Sequence, residues 1–139
     1  MAIYLLDTTT ITHIQYNHPR VLAALTAHAL DTISISSVNI EEMLGGWIRR
    51  IPQSRTPRDE AITSVLLTES VIFLAGFSLV PITEVAINRY ETLRRMKLNV
   101  GRNDLRLAAC ALELDAIVAT NNIRDFGRVP GLKWVDWTK

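Results

Sequence analysis

Short apolar runs alternate with longer helical segments along this chain, and this alternation constrains the fold more than any other feature. The predicted strands lie near Ala2–Leu6, Thr32–Ser36, Ser78–Pro81, Ala116–Ala119 and Lys133–Asp136. The predicted helices lie at about Thr10–Gln15, Pro19–Ala29, Val38–Arg50, Pro57–Ala75, Thr83–Met96 and Asp104–Leu114. Strands that alternate with helices favour a mostly parallel sheet with helices on both faces and right-handed crossovers. The sequence therefore predicts a three-layer α/β/α fold.

The composition is that of one folded domain. The chain has 139 residues, of which 48% are hydrophobic and 21% charged, which is enough to bury a core and unlike a disordered chain. The longest apolar stretch, 62–82, is interrupted by Gly76 and Pro81, so it predicts a helix and a strand and no membrane span. The lone Cys110 forms no internal disulfide, and no basic and apolar leader opens the chain. We expect residues 1–139 to form a single cytoplasmic domain.

Four acids occupy the ends of predicted strands or the starts of predicted helices. Asp7 ends the first strand, Glu42 lies near the start of the helix after the second, Asp104 opens a helix, and Asp125 follows the fourth strand. In open parallel sheets, ligands bind beyond the carboxyl ends of the strands. Carboxylates that cluster there repel each other unless a cation holds them. Hard oxygen ligands with few histidines point to Mg²⁺ or Mn²⁺.

The net charge of +1 conceals an uneven distribution. When those four acids are set aside, fifteen Lys and Arg residues face ten acids, and most of the cations are arginine. The arginine guanidinium binds phosphate in a bidentate manner. An acidic pocket in a basic surround suits a metal-dependent enzyme that acts on nucleic acid, while a mixed, solvated surface is the structural alternative.

Most of these acids also have an ordinary structural explanation. Asp7 after a strand is a common helix cap. Glu41 and Glu42 lie in the first turns of a helix, where the macrodipole favours negative charge. Asn122 and Asp125 are typical of Asx turns in loops. Both interpretations stay open for each of these residues.

Asp104 is the sharpest case. Its helix is apolar almost all round, and Asp104 lies on the side of Ala108 and Ala111. An unpaired charge at the head of a buried face is costly. A capping hydrogen bond would satisfy one lone pair of the carboxylate, whereas a metal ion would neutralise the charge itself.

Several segments, in order, resemble the motifs of the PIN-domain ribonucleases, specifically the VapC-type toxins of bacterial toxin–antitoxin pairs. Tyr4–Thr8 resembles the family's opening strand and first acid. Ile35–Gly46 resembles its second motif, in which a serine ends a strand and a glutamate and a glycine follow. Gly101–Ala109 resembles its third motif, an aspartate that leads an alanine-rich helix. Thr120–Phe126 is similar to the family's Thr-x-Asn-x-x-Asp-Phe loop, and Val129–Trp137 contains its closing segments. The resemblance covers nearly the whole chain, with Asn39 where the family often has threonine.

This resemblance implies a metal-dependent endoribonuclease with a PIN-like fold. It implies that one or two Mg²⁺ or Mn²⁺ ions are held by Asp7, Glu42, Asp104 and Asp125. It implies that the side chains that orient ligands and water are Thr8, Thr120 and Asn122. A homodimer and a tight antitoxin partner, whose arm covers the acidic pocket, are also implied. Whether Asn122 or Asp125 completes the fourth position stays open, as does the RNA that is cleaved.

Three other functions compete with this one. A non-catalytic PIN-fold module for RNA binding or assembly is the alternative from another class, although it has no need for four acids. A DNA or flap nuclease usually carries extra elements for duplex binding, and this chain shows none. A Mg²⁺-dependent phosphatase needs a second aspartate two residues after Asp7, where Thr9 stands.

Overall fold

Five strands and seven α-helices build the protein. The structure is a computed structural model that describes residues 1–139. The strands are β1 (Ile3–Leu6), β2 (Thr32–Ser36), β3 (Ser78–Val80), β4 (Ile117–Ala119) and β5 (Lys133–Val135). The α-helices are α1 (Thr8–Gln15), α2 (Pro19–Ala27), α3 (Ser37–Arg50), α4 (Pro57–Leu74), α5 (Glu84–Arg95), α6 (Arg102–Leu114) and α7 (Ile123–Phe126), and a 3₁₀ turn (Ile51–Gln53) follows α3. No helix combines the length and the hydropathy needed to cross a membrane.

All five strands are parallel, in the order β3-β2-β1-β4-β5. In the register of the central strands, Tyr4 of β1 lies opposite Ile33 of β2 and Ile117 of β4. The chain winds outward from β1 in one direction through β2 and β3, then crosses to β4 and β5 on the other side. The strand order therefore reverses between β1 and β4, and this is where open parallel sheets bind ligands.

Helices cover both faces of the sheet, as the alternation of strands and helices predicts. Side chains along β1 point alternately to the two faces. Leu5 joins the core beneath α5 and α6, whereas Tyr4 and Leu6 join the core beneath α1 and α2. Because buried apolar side chains pack on both sides of the central strands, the three-layer α/β/α architecture is confirmed.

The predicted elements agree with the structure to within two residues at each end. Three differences from the sequence-based expectation lie beside the candidate site. Helix α1 begins at Thr8 and not at Thr10, because Asp7 caps it. Helix α6 begins at Arg102, after Gly101, so Asp104 lies in its first turn and caps nothing. The short helix α7 occupies a segment that the sequence predicts as loop.

Candidate active site

The carboxyl ends of the three central strands bring the predicted site residues together. Asp7 follows β1, Ser36 ends β2 and leads into α3, and Thr120 follows β4. These strands are neighbours in the sheet, so the residues that follow them emerge at one edge. The side chains of Asp7 and Thr120 meet across the point where the strand order reverses.

Asp7 is nearly buried, with 4% of its surface exposed. Its Oδ1 accepts a hydrogen bond from the Thr10 backbone N–H at 2.8 Å, which caps α1. Its Oδ2 accepts one from the Thr120 hydroxyl at 2.6 Å. Burial raises the pKa of the Asp7 carboxyl above 3.8, and the hydrogen bonds from Thr120 and Thr10 partly offset this rise. Asp7 is therefore a helix cap and a member of the candidate site at once.

The adjacent residues Glu41 and Glu42 have different hydrogen-bond partners. The Thr8 hydroxyl donates to Oε1 of Glu42 at 3.1 Å, which turns Glu42 towards the β1 end. Oε2 of Glu41 instead accepts from Arg106 at 3.1 Å and forms a salt bridge on the outside of α6. Of the two glutamates, only Glu42 therefore points towards the other acids.

Asn39 is a residue of the site that the sequence analysis noted only as a departure from the family pattern. Its Oδ1 accepts from the Ser36 backbone N–H at 2.9 Å and thereby completes a capping box at the start of α3. Its Nδ2 donates to the Thr8 hydroxyl oxygen at 3.3 Å. Asn39 thus orients Thr8, which in turn donates to Glu42. The signal in the sequence is the Ser-x-x-Asn spacing, which is a capping pattern.

Asn122 bridges the other two acids. Its Nδ2 donates to Asp104 Oδ2 at 3.4 Å and to Asp125 Oδ2 at 3.1 Å. No other hydrogen bond reaches the carboxylate of Asp104, so the capping explanation for this residue is wrong. Arg128 also donates to Oδ1 of Asp125 at 3.4 Å. Asn122 and Asp125, the two candidates for the fourth position, therefore both lie at the site, and the Asn122 amide donates to the Asp125 carboxylate.

The four acids Asp7, Glu42, Asp104 and Asp125, called the acidic cluster below, act on each other electrostatically. Desolvation and, in decreasing order, the charges of Asp7, Glu42 and Asp125 together raise the pKa of the Asp104 carboxyl from 3.8 to about 6, and the hydrogen bond from Asn122 partly offsets this rise. Thr120, Thr8 and Asn122 are the neutral donors to the cluster. Hydrogen bonds from neutral groups orient carboxylates but leave their charge in place.

Comparison with known proteins identifies the family. The PIN domain profile matches residues 4–132, which is most of the chain. The chain belongs to the PIN domain family. Among PIN-domain relatives, it is 30% identical to Ribonuclease VapC1 of Haemophilus influenzae (strain R2866), and the match covers 99% of both chains. It is also 30% identical to Ribonuclease VapC2 of Rickettsia felis, again over 99% of each. The resemblance to VapC-type proteins is thus confirmed.

Solved structures agree with this assignment to the PIN domains. The structure of VapBC2 from Rickettsia felis, bound to a DNA fragment from its promoter, matches with a TM-score of 0.76 and 28% identity, over 97% of this chain and 98% of that one. VapBC-1 from nontypeable Haemophilus influenzae matches with a TM-score of 0.72 and 26% identity, over 99% of both chains. PIN-domain VapC ribonucleases generally depend on a divalent metal.

The acidic cluster of this PIN domain has the donor chemistry for such a metal. All of its ligand atoms are carboxylate oxygens, which suit Mg²⁺ and Mn²⁺ better than softer ions. No three acidic, histidine or cysteine side chains already stand in a geometry that holds an ion directly. Mg²⁺ usually keeps several of its waters and needs only one or two direct carboxylates, so the residues present fit this class of metal.

Proposed function

We propose that this protein is a metal-dependent endoribonuclease that acts as the toxin of a toxin–antitoxin pair. The observation that carries the proposal is the acidic cluster, in which a charged carboxylate at Asp104 is disfavoured by burial and by three other acids. A bound divalent cation would relieve this cost. The names of the VapC relatives support ribonuclease activity on RNA phosphodiester bonds. We further propose that residues 1–139 work as one PIN domain, in the cytoplasm.

In this proposal, the acids hold the metal and neutral residues hold the acids. Asp7, Glu42, Asp104 and Asp125 bind one or two Mg²⁺ or Mn²⁺ ions, some through water. A metal held by these acids would supply Lewis acidity, which lowers the pKa of a bound water and offsets charge on the phosphodiester. Thr8, Thr120 and Asn122 fix the orientation of the acids through their hydrogen bonds.

The hydrogen bonds also indicate which oxygen atoms are available. Both oxygens of Asp7 accept hydrogen bonds from the protein. Glu42 and Asp104 each accept a single hydrogen bond, at Oε1 and Oδ2 respectively. The second oxygen of each of these two residues has no protein donor and is free to bind a metal ion or its water. Asp104 and Glu42 therefore make the least encumbered ligands of the cluster.

The proposed protein partners are an antitoxin and a second copy of the chain. The similar structures of VapBC2 and VapBC-1 support an antitoxin partner. On the surface of this chain, α4 exposes Ile62, Val65 and Ile72, which follow each other at helical spacing. Exposed apolar stripes of this kind commonly mark protein interfaces. We expect expression of the protein alone to be toxic and co-expression of a small neighbouring gene to relieve the toxicity.

The experiment that tests the ribonuclease is a cleavage assay on total RNA with purified, antitoxin-free protein. Wild type, Asp7→Asn and Glu41→Gln are compared, each with Mg²⁺, Mn²⁺ or EDTA. Asparagine still caps a helix, so Asp7→Asn keeps α1 capped while it removes the charge. Discrete fragments from wild type and Glu41→Gln, which are absent with EDTA and with Asp7→Asn, support the proposal. Folded wild-type protein that cleaves no RNA with either metal would favour the non-catalytic binding module.

A further inference from the structure

A groove leads away from the acidic cluster between α1 and α3. Both helices begin at the cluster, since α1 follows β1 and α3 follows β2. The groove has a volume of about 330 Å³, and its walls include Thr8 and Thr12 from α1 and Gly46 and Trp47 from α3. Thr8 belongs to both places, because its hydroxyl donates to Glu42. The groove therefore adjoins the acidic cluster at Thr8.

The far end of the groove carries flat, stacked groups. The Trp47 indole donates its N–H to the Ser70 hydroxyl at 3.0 Å, which fixes the ring. The Arg50 guanidinium carbon lies 5.1 Å from the centroid of that ring, over its face. Tyr16, which is 76% exposed, stands at the same end of the groove. These groups form an aromatic and cationic surface, called the Trp47–Arg50 surface below.

The remainder of the lining leaves room and carries no negative charge. No acidic side chain lines the groove, and Arg50 is its single charged residue. A methyl group built at Gly46 would meet no atom within 4 Å, so the groove is open at this position. No acid of the cluster lines the groove, so a polyanion in the groove would not lie against a carboxylate.

We propose that this groove binds the nucleotide next to the scissile phosphodiester, with its base stacked on the Trp47–Arg50 surface. The inference rests on the proposed ribonuclease function. Single-stranded RNA is commonly recognised by bases stacked on aromatic rings or on guanidinium planes. Arginine also binds phosphate, and a volume of about 330 Å³ lies at the small end of ligand pockets. A phosphate held at the acidic cluster places its neighbouring nucleotide at the mouth of this groove.

Three leucine substitutions on α3, two test variants and one control, examine the groove. Gly46→Leu fills the groove at a position where a Cβ atom would meet nothing within 4 Å, and replacing a helical glycine favours the helix. Gly45→Leu is the matched control, because Gly45 does not line the groove and a Cβ atom there meets only the flexible, exposed end of Arg49. Trp47→Leu removes the stacking ring instead of blocking access to it. Thermal unfolding of all three verifies that they are folded.

The substrates are short oligoribonucleotides in which each residue around the cleavage site is replaced in turn by an abasic residue. For wild type and Gly45→Leu, we expect one flanking position at which the abasic substitution lowers kcat/KM roughly 5- to 100-fold, the range of a base stacked on an aromatic ring. Gly46→Leu and Trp47→Leu should cleave the intact oligonucleotide more slowly by a similar factor. At that one position, both variants should no longer respond to the abasic substitution.

Other outcomes overturn the inference. If Gly46→Leu and Trp47→Leu slow all substrates equally and stay sensitive at every position, the groove has only a structural role. If base sensitivity is unchanged but Gly46→Leu weakens the antitoxin complex, the occupant is a protein segment. Binding of the same oligonucleotides to Asp104→Asn protein in EDTA, with and without Gly46→Leu, tests the groove even if wild type cleaves nothing. If the protein cleaves RNA but its base sensitivity does not depend on Gly46 or Trp47, the proposed ribonuclease function is supported and the proposed role of the groove is wrong.

Discussion

Acidic side chains on the outer helices pair with arginine, whereas those at the carboxyl edge of the sheet are bound mainly by neutral hydrogen-bond donors. On α5 and α6, Glu113 forms a salt bridge with Arg89, and Glu91 forms one with Arg94. At the sheet edge, Glu42 accepts a hydrogen bond from the Thr8 hydroxyl and from no cation. The outer acids are thus neutralised by the protein, whereas the charge at the edge is oriented but not neutralised.

Adjacent glutamates on α3 show that this difference is local and not a matter of composition. Glu41 pairs with Arg106, and one residue later Glu42 pairs with Thr8. Asp125 marks the border between the two classes, because it accepts from the Asn122 amide and also from Arg128. An uncompensated, partly buried carboxylate is costly, so a fold that collects several at one edge is arranged for a ligand that supplies positive charge.

The largest expected effect comes from removing one charge of the cluster. Asp104→Asn keeps the size of the side chain and should reduce RNA cleavage by more than about 100-fold, the upper end for loss of an outer partner of a metal ligand. Glu41→Gln, which removes a paired charge, should cleave RNA at close to the wild-type rate. Rates are compared on one oligonucleotide at saturating Mn²⁺. Equal losses in the two variants would show that paired and unpaired acids do not differ in function.

Removing a neutral donor should have the next largest effect. Thr120→Val deletes the hydroxyl that donates to Asp7 and accepts from the Asn122 backbone N–H. We expect a loss of cleavage of about 10- to 100-fold and a loss of about 1–3 kcal/mol in the free energy of unfolding, since buried groups lose their partners. Thr26→Val on the exposed face of α2 is the control. A Thr120→Val variant with full activity would remove the neutral donors from the mechanism.

The cluster could be predicted from the sequence because it depends on topology and local signals. Acids that follow β1 and β4 must emerge at one edge once the strands are parallel, and the alternation of strands with helices predicts that they are. The resemblance over Ile35–Gly46 also favours Glu42 over Glu41, and the structure turns Glu42 and not Glu41 towards the other acids. These inferences need only the order of elements along the chain.

Contacts between distant segments could not be predicted in the same way. The pairing of Arg106 with Glu41 and the bridge from Asn122 to Asp104 join residues far apart in sequence. They depend on how α6 packs beside α3 and α7, which no periodicity specifies. Helix α7 itself was missed because four residues are too few to show a period.

The uncompensated charge of Asp104 should also make the free energy of unfolding depend on pH. The pKa of Asp104 is raised from 3.8 to about 6 in the folded protein. As pH rises from about 4 to about 6, the unfolded chain loses this proton first, so the free energy of unfolding falls, and above about 6 the loss is constant. In EDTA we expect this difference to be on the order of 1–3 kcal/mol, reduced by solvent screening.

Denaturant titrations between pH 4 and pH 8 measure this effect as the difference between wild type and Asp104→Asn, which cancels the contributions of other groups. The variant should become more stable relative to wild type as pH rises through this window. Saturating Mn²⁺ should remove the advantage of the variant at pH 7.5, because the metal stabilises only the charged cluster. A difference that does not change with pH would show that the charge of Asp104 is not disfavoured.

In the smallest expected effect, substitutions at the two adjacent glutamates change the free energy of unfolding in opposite directions. Glu41→Gln removes a salt bridge in which Glu41 is 58% and Arg106 14% exposed, so in EDTA at pH 7.5 it should lower the free energy of unfolding by no more than about 1 kcal/mol. Glu42→Gln keeps an oxygen for the Thr8 hydroxyl but removes a charge that disfavours ionised Asp104. It should therefore raise the free energy of unfolding of the metal-free protein. Because the substitution is identical and the positions are adjacent on α3, changes of the same sign in both variants would contradict the distinction between neutralised and uncompensated acids.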